Sequence, residues 1–195
     1  MPERAFRRQL LERARLTRGL RILDIGCGTG TLLIDAFRFE RNAVLCGVDG
    51  DLSILELASN KIARTRADVR LVGGLANRLP VQSESFDRVF STLMLHHLTH
   101  AEKAATLSEA YRVLRSGGEL HIADWGCPHT NAMRIASTML TALEQGDRVA
   151  DNLEGRIPAL CIDAGFSGVQ STGRFRTMFG TLELIAAAKS ERQAG

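Results

Sequence analysis

A run of three glycines directly after a short apolar segment places the strongest constraint on how this chain can fold. Residues 23–30 read LDIGCGTG, and helical spacing of apolar residues follows over 31–39. Glycines at a strand-to-helix turn let a ligand approach the backbone closely, and the helix directs free N–H groups toward the same place. Turns of this kind lie at the carboxyl edge of an open parallel sheet, where ligands bind. The run therefore predicts an α/β fold with a ligand site at its first turn.

Strand-like and helix-like segments alternate along the chain, separated by short polar stretches. Connections of helix length between strands indicate a mostly parallel sheet with helices on both faces. The short link around Gly180 predicts a closing hairpin whose last strand runs antiparallel to the others. We predict one domain over 1–195, with a basic helix over 1–20 and a short lid-like insertion over 126–153. Predicted strands cover 21–25, 43–49, 69–72, 86–91, 119–123, 168–177 and 181–187, and predicted helices cover 31–39, 52–66, 101–114, 131–143 and 156–164.

The composition is that of an ordinary globular protein. Apolar residues make up 45% of the chain and charged residues 24%, which is enough apolar material for a core. No stretch approaches the roughly 18 consecutive apolar residues of a membrane-spanning helix. The four cysteines are scattered without a C-x-x-C pair, which argues against a disulfide framework or a closed zinc site. We therefore expect a cytoplasmic protein without a metal centre.

The net charge of +3 is unevenly distributed along the chain. Residues 1–21 carry seven arginines and two glutamates, so this segment holds +5 and the rest of the chain −2. One interpretation is a solvated amphipathic helix that packs through Phe6, Leu10, Leu11 and Leu16. The other is attraction of an anionic partner, such as nucleic acid, lipid headgroups or a negatively charged ligand.

A carboxylate follows the second predicted strand at a sequence distance that suits a ribose. Asp49 stands 19 residues after Gly30, and a carboxylate there accepts hydrogen bonds from two ribose hydroxyls. The glycines are spaced G-x-G-x-G, one residue shorter than the G-x-G-x-x-G of dinucleotide sites, and no P-loop lysine follows them. The motif therefore favours a nucleoside cofactor that lacks a pyrophosphate.

Together these segments resemble the class I S-adenosylmethionine-dependent methyltransferases, in the small-molecule branch that includes the ubiquinone and menaquinone biosynthesis enzymes. The resemblance covers residues 20–125 well and the closing hairpin loosely, and it is specific for the cofactor but not for the methyl acceptor. It implies a Rossmann-like, seven-stranded, mostly parallel sheet with the last strand antiparallel. The matching segments are ILDIGCGTG (22–30), GVD (47–49), ANRLPVQSESFDRVFSTLMLHHL (76–98) and EAYRVLRSGGELHIADW (109–125).

The resemblance implies a set of residues that would hold S-adenosylmethionine. Asp24 and the glycine loop would hold its methionine part, Asp49 its ribose, and Gly50 and Ala76 would lie against its adenine. The family usually has an acid at the position of Leu75, facing the adenine amino group, so adenine recognition here would rest on the Ala76 backbone and apolar contact. The full implied set is Asp24, Gly26, Cys27, Gly28, Thr29, Gly30, Asp49, Gly50, Leu75, Ala76, Ser91, Thr92 and Leu93.

Candidates for the transfer step follow the fourth and fifth predicted strands. Methyl transfer from a sulfonium depends on alignment, and it needs a general base only where the acceptor atom carries a proton. His96 and His97 are candidates for that base, or they fill a structural role in the motif. His97 and Trp125 are candidates for the wall of the acceptor pocket, although Trp125 alternatively packs the rim. Asp124 supports the methionine end of the cofactor or hydrogen-bonds the neighbouring loop.

The sequence predicts methyl transfer to a small molecule by a monomer or homodimer, and it leaves other functions open. One alternative is a nucleic-acid methyltransferase that binds RNA or DNA through the arginine-rich N-terminus. Two features argue against this alternative: the fourth strand ends in STLM where amino-methylating nucleic-acid enzymes have N/D-P-P-Y/F, and aromatic residues make up only 5% of the chain. Arsenic methyltransferases resemble this fold and use several cysteines. In this chain the cysteines are few and their spacing is different, which argues against arsenic as the methyl acceptor. A noncatalytic module that only binds S-adenosylmethionine is the remaining alternative.

Overall fold

The structure, a computed structural model, describes residues 2–131, 133–134, 137 and 146–191. Within this part of the chain, six α-helices and one short 3₁₀ turn accompany seven strands. The strands are Arg21–Ile25 (β1), Val44–Asp49 (β2), Val69–Gly73 (β3), Phe86–Thr92 (β4), Leu114–Gly126 (β5), Ser167–Thr177 (β6) and Gly180–Ala188 (β7). The helices are Pro2–Arg13 (α1), Thr31–Phe39 (α2), Leu52–Ile62 (α3), His100–Val113 (α4), Gly146–Leu153 (α5) and Ile157–Asp163 (α6), and the 3₁₀ turn is Leu95–His97.

All seven strands form one sheet in the order β3-β2-β1-β4-β5-β7-β6. Strands β1 to β5 pair in parallel, whereas β7 runs antiparallel to both β5 and β6. The strand order changes direction between the adjacent strands β1 and β4. Ligands of open α/β sheets bind at such a point, outside the carboxyl ends of the strands. The predicted seven-stranded, mostly parallel sheet with an antiparallel last strand is confirmed.

Alternating residues of β1 show why both faces of the sheet are covered. Ile22 belongs to a buried cluster with residues of α1 and α2, whereas Leu23 and Ile25 belong to a second cluster with residues of α4 and α6. Side chains of a strand alternate between the two faces, so a continuously apolar strand needs helices on each side. Asp24 lies on the same face of the sheet as Ile22, so its carboxylate stands among otherwise apolar side chains.

The N-terminal basic segment forms a helix that packs through one face. Phe6, Leu10 and Leu11 are buried as predicted, and they belong to the cluster on the α2 side of the sheet. The helix ends at Arg13 instead of continuing to residue 20, and Leu16 lies partly buried in the connection that follows. None of the helices that the structure describes is long and apolar enough to cross a bilayer.

Element bounds differ from the predicted ones at three places. The helix predicted over 52–66 ends at Ile62, and Leu52 is 71% exposed because the first turn of α3 extends past the edge of the sheet at β3. The strand predicted over 119–123 begins at Leu114, where a register shift and the left-handed Gly117 (φ +75°) let it continue through a polar stretch. The helix predicted over 131–143 lies mostly outside the described residues.

Candidate active site

The three glycines of the loop between β1 and α2 all adopt left-handed backbone conformations, which side chains disfavour. A Cβ atom on Gly26 would collide with the side chain of Met94, and one on Gly30 would meet Ile62 at 3.0 Å. A Cβ on Gly28 would meet nothing within 4 Å, because this residue faces a cavity. Gly28 therefore leaves room for a ligand, whereas Gly30 serves the close packing of α2 on α3.

Asp49 ties the end of β2 to the glycine loop. Its Oδ2 accepts a hydrogen bond from the Gly28 N–H at 2.8 Å, and its Oδ1 accepts one from the Asp51 N–H at 3.0 Å. The carboxylate lines the same cavity as Gly28, and each carboxylate oxygen has a further lone pair to accept with. Asp49 thus holds the loop and still has the capacity to accept hydrogen bonds from a diol.

Asp24 is buried beneath this loop without a partner. It is 1% exposed, and among the described residues neither of its carboxylate oxygens has a hydrogen-bond partner. Desolvation raises its pKa well above the ordinary value of an aspartate, and repulsion from Asp49 adds to the effect. Unsatisfied buried groups are rare, and an unpaired buried carboxylate directly before the glycine loop fits a site that receives a cationic polar ligand. In the same part of the chain, the buried Ser91 hydroxyl at the end of β4 also has no partner.

The cofactor cavity, as we call the space in front of the glycine loop, has a volume of about 380 Å³. Seven of its lining residues belong to the predicted cofactor set: Gly26, Gly28, Asp49, Gly50, Leu75, Ala76 and Leu93. His97, which the sequence suggested for the wall of the acceptor pocket, also lines this cavity. Sequence reasoning missed Val48, Ile54, Gly74, Met94 and Leu98, whose contribution depends on how the neighbouring turns fold over the loop. Leu75 is exposed at the rim, so this wall carries an apolar side chain.

Six of the predicted cofactor residues do not line the cavity. Cys27 points into the core, where burial raises the pKa of its thiol, and the Thr29 hydroxyl bonds instead with Thr31 and Lys61. The residues outside the lining are Asp24, Cys27, Thr29, Gly30, Ser91 and Thr92. Most of these six residues could therefore contact a ligand only through their backbone atoms or through a side chain that lies beneath the cavity surface.

Asp124 at the end of β5 organises the turn after β4. Its Oδ2 accepts hydrogen bonds from the N–H groups of Met94 (3.1 Å) and Leu95 (2.8 Å), and its Oδ1 accepts from His96 Nδ1 at 2.6 Å. Leu93 precedes this turn with a left-handed φ of +51°, and its N–H donates to the Ala123 carbonyl at 2.8 Å. A leucine in that conformation is strained, and the surrounding hydrogen bonds hold it there. Of the two roles predicted for Asp124, the structure shows the loop contact.

The two histidines occupy different environments. His96 is buried against Asp124, and its ring lies 6.0 Å from the ring of Trp125 and 3.9 Å from that of His97. His97 is exposed and lines the cofactor cavity, and its carbonyl accepts a hydrogen bond from Arg148 of α5 at 2.7 Å. The structure therefore places His96 as a buried member of the turn and His97 at the cavity surface.

A second cavity, the acceptor cavity, lies on the other side of Leu93 and has a volume of about 630 Å³. Trp125 lines this cavity, which is one of the two positions suggested for it from the sequence. Among the described residues, Arg176 is the one arginine in the lining. The full lining is Glu3, Phe6, Leu93, Trp125, Arg176, Thr177, Met178, Phe179 and Leu182. Leu93 lines both cavities, so one side chain forms a wall shared between them.

Much of the lid-like insertion predicted over 126–153 lies outside the described residues. Within the described part of the chain, Glu3 and Phe6 of α1 line the acceptor cavity, and α5 contacts β5 and the turn after β4. The turn between β6 and β7 forms the roof, with Met178 79% exposed and Phe179 36% exposed. Two adjacent large apolar residues in a hairpin turn are the sequence signal that was missed, because turns are usually polar.

These arrangements fit S-adenosylmethionine in three respects. The cofactor carries an ammonium and a sulfonium charge, which suit the unpartnered carboxylate of Asp24; its ribose diol suits Asp49; and its bulk suits the open side of Gly28. Among the described residues, no group of three His, Cys, Asp or Glu side chains is placed to hold a metal ion. The cysteines are free thiols, three of them buried and Cys127 exposed.

Comparisons with known proteins agree with this fit. Residues 22–118 match the family model of a methyltransferase domain. Over 126 residues the chain is 36% identical to a demethylmenaquinone methyltransferase of Beutenbergia cavernae, covering 65% of this chain and 49% of that protein. It is 29% identical over 185 residues to an uncharacterized methyltransferase of Synechocystis, covering 95% of this chain and 83% of that protein. The chain spans about half the length of several curated relatives that it matches.

Solved structures share the fold. The YcgJ protein of Bacillus subtilis superposes with a TM-score of 0.73 at 18% identity, covering 94% of this chain and 99% of that one. A Haemonchus contortus phosphoethanolamine N-methyltransferase 2, solved with phosphomonomethylethanolamine and S-adenosylhomocysteine, gives 0.76 at 19% identity, covering 96% of this chain and 53% of that one. The domain match and the named relatives support the resemblance to class I S-adenosylmethionine-dependent methyltransferases, and the solved structures show the same fold. Within that class it resembles the menaquinone and ubiquinone biosynthesis enzymes.

Proposed function

We propose that this protein transfers a methyl group from S-adenosylmethionine to a small, largely apolar acceptor. The observation that carries the proposal is the shared wall at Leu93, which lines the cofactor cavity on one side and the acceptor cavity on the other. In-line displacement requires donor and acceptor to meet in a fixed geometry, and two adjacent cavities provide it. When bound, the cofactor supplies a methyl group already activated on sulfur.

The chain's own residues bind, align and exclude water in this proposal. Asp24 takes the positive charge of the methionine part, and Asp49 takes the ribose. The turn held by Asp124 fixes Leu93, which lines both cavities, and Met94, which lines the cofactor cavity. Removing water from such a junction strengthens the electrostatic contacts within it. Alignment and desolvation then supply most of the rate, as expected for a donor that is already activated.

We propose an aromatic acceptor that carries a hydroxyl group or an activated ring carbon. Trp125 and Phe179 line the acceptor cavity with their rings 6.4 Å apart at centroids, and aromatic side chains pack well against flat rings. The demethylmenaquinone methyltransferases, as relatives of this chain, lend support to a quinol-like ring. Arg176 at the same cavity would face a polar or anionic substituent of the ring.

Where the acceptor atom carries a proton, we propose that His97 receives it. This side chain is exposed at the cofactor cavity, whereas His96 donates its Nδ1 hydrogen to Asp124 and positions the turn. For such an acceptor, His97→Ala should lower the transfer rate much more than it lowers cofactor affinity. An unchanged transfer rate would contradict the role of His97 as a base.

The experiment that tests the proposed function uses a labelled methyl donor. The protein is incubated with methyl-labelled S-adenosylmethionine and cell extract, and label is followed in the solvent-extractable, RNA and protein fractions. Label in small solvent-extractable molecules is the expected result. Label in RNA would instead support the nucleic-acid alternative, and tight cofactor binding without transfer to any fraction would support a noncatalytic module.

Cellular location and assembly state are further parts of the proposal. We propose a cytoplasmic protein that acts as a monomer or homodimer. The acceptor cavity is open at the turn between β6 and β7, where Met178 is exposed, so a second copy has a surface to cover. Light scattering of the purified protein distinguishes the two assembly states.

A further inference from the structure

A basic groove lies on the face of α1 adjacent to the one that lines the acceptor cavity. It runs between α1, α2 and the end of α3 and has a volume of about 660 Å³. Only one carboxylate, that of Asp35, is among its lining residues. Its cationic lining residues are Arg4, Arg7, Arg8, Arg38, Lys61 and Arg64. The structure therefore gathers three arginines of the N-terminal segment into a cleft with cations from two other helices, separate from the acceptor cavity.

The groove keeps an excess of positive charge after its internal ion pairs are counted. Asp35 pairs with Arg7 at 3.0 Å and with Arg38 at 2.9 Å. Outside the lining, Glu3 pairs with Arg7 at 3.7 Å and Glu12 with Arg8 at 2.8 Å. Across the described residues, Arg4, Lys61 and Arg64 form no ion pair with a carboxylate, and Lys61 donates to the hydroxyls of Thr29 and Thr31. Cations gathered in a cleft in excess of the carboxylates that pair with them attract a polyanion, and arginine forks suit phosphate oxygens.

An exposed apolar tip stands next to this charge. The first two turns of α1 separate the two surfaces, since Glu3 and Phe6 line the acceptor cavity while Arg4 and Arg7 line the groove. Such a helix is only about 10–12 Å across with its side chains. The acceptor cavity opens beside Met178, which is 79% exposed. Proteins that bind the surface of an anionic bilayer commonly combine a basic patch with exposed apolar residues.

We propose that the basic groove binds the phosphate headgroups of an anionic phospholipid bilayer and turns the mouth of the acceptor cavity toward the lipid. An apolar acceptor would then enter from the bilayer; that route rests on the proposed function, whereas the binding itself does not. Nucleic acid fits the groove less well. Single-stranded nucleic acid needs a series of stacking aromatics, and Phe39 is the one aromatic side chain in the described lining.

The test is flotation of the full chain with vesicles, without cofactor or acceptor. Vesicles of phosphatidylglycerol and phosphatidylcholine in equal amounts are compared with vesicles of phosphatidylcholine alone, at low and at high salt. Binding to the anionic vesicles that weakens with salt is expected. The double variant Arg4→Gln, Arg64→Gln should bind roughly tenfold less tightly or weaker, because each basic residue near a surface adds a comparable increment.

A matched variant separates the groove from net charge. Arg18 and Arg78 are exposed and do not line the groove, so Arg18→Gln, Arg78→Gln removes the same charge elsewhere. This control should retain most of the vesicle binding, and Met178→Ser should reduce the binding that remains at high salt. Equal loss in both double variants would overturn the groove assignment.

Two further outcomes would also overturn the proposal. Absence of flotation with anionic vesicles at low salt is one. Binding of a poly-uridine oligonucleotide in place of the vesicles, lost in Arg4→Gln, Arg64→Gln, would assign the groove to nucleic acid. Because neither measurement involves methyl transfer, failure here is distinguishable from failure of the proposed function, which the labelled-donor experiment reads separately.

Discussion

The buried carboxylate of Asp24 lowers the stability of the protein when no cation accompanies it. It has no hydrogen-bond partner, and burial disfavours its charged form. Asp24→Asn removes the charge at nearly constant volume, so we expect the free energy of unfolding of the cofactor-free protein to rise by about 1 kcal/mol or more at neutral pH. The same change should weaken binding of S-adenosylmethionine. Urea unfolding and calorimetry measure the two effects.

A matched carboxylate gives the opposite sign. Asp35 accepts hydrogen bonds from Arg7 and Arg38, so Asp35→Asn should lower stability slightly and leave cofactor affinity unchanged. If Asp24→Asn instead destabilised the cofactor-free protein, as Asp35→Asn is expected to do, the Asp24 carboxylate would have a stabilising partner, which would contradict the prediction.

The raised pKa of Asp24 also predicts how stability depends on pH. A carboxyl whose pKa is higher in the folded than in the unfolded state binds more protons when folded. Its contribution to stability is therefore fully present below the unfolded value of about 3.9 and is lost as the pH rises through the raised folded value. Urea unfolding at a series of pH values should show this decline, and Asp24→Asn should flatten it.

The same raised pKa predicts proton release on cofactor binding. A cationic ligand binds the ionised carboxylate, so affinity should increase as the pH rises through the pKa of the cofactor-free protein. Calorimetry in buffers of different ionisation enthalpy measures the released protons. In Asp24→Asn the release should disappear, and release that persisted in this variant would point to another titrating group.

At this scale the sequence predicted the residues whose roles are fixed by local geometry. Gly28 and Asp49 lie in the cavity because they end a strand and begin a turn, which the sequence pattern reveals. Cys27 and Thr29 lie in the same turn but point elsewhere, toward the core and toward Lys61. Side-chain direction within a turn depends on neighbours that are distant in sequence, so the motif alone did not distinguish them.

Among the elements, the turn Leu95–His97 with its preceding residues depends on a single side chain. Asp124 accepts backbone hydrogen bonds from Met94 and Leu95 and one from the His96 ring. Asp124→Asn places an amide group against these donors, so we expect stability to fall by about 1.5–3 kcal/mol, as for other charged hydrogen bonds. The transfer rate should fall further than cofactor affinity, because Leu93 would lose its fixed position.

A cap elsewhere provides the comparison for that turn. Glu102 completes the capping box with Thr99 at the start of α4, on the exposed surface. Glu102→Gln should lower stability less than Asp124→Asn does and leave the transfer rate unchanged. Equal rates for Asp124→Asn and Glu102→Gln would show that the turn after β4 does not position the reacting groups.

The elements themselves follow closely from the sequence where periodicity and punctuation agree. Predicted bounds for β1 and α2 match the structure to the residue, because an apolar run and a glycine cluster delimit them. The start of β5 was missed, since Ser116 and Gly117 resemble a helix stop, whereas pairing with β4 and β7 carries the strand through them. Strand pairing is a tertiary effect that local residue preferences do not contain.

For the whole molecule, α1 separates two surfaces of opposite character. The apolar acceptor cavity lies on one face of this helix and the basic groove on an adjacent face. The sequence revealed the excess of arginines in residues 1–21, but it did not reveal that Arg4, Arg7 and Arg8 share a cleft with cations of α2 and α3. These three arginines therefore line a groove separate from the acceptor cavity.

The roof of the acceptor cavity is likewise a property of the whole fold. Met178 and Phe179 reach it only because β7 inserts between β5 and β6 and brings their turn over Trp125. The lid predicted over 126–153 came from its position between strands, and the described part of it supports the turn after β4 instead. A sequence shows that a segment is inserted, but not which surface it covers.

Calorimetric titration with S-adenosylhomocysteine tests the central claim most directly. We expect one molecule to bind per chain, and Asp49→Ala to weaken binding by about 1–3 kcal/mol through loss of charged hydrogen bonds to the ribose. Glu56→Ala, on the exposed face of α3, should leave the affinity unchanged. Absence of binding to the native protein, or equal affinity for native protein and Asp49→Ala, would contradict the assignment of the cofactor cavity.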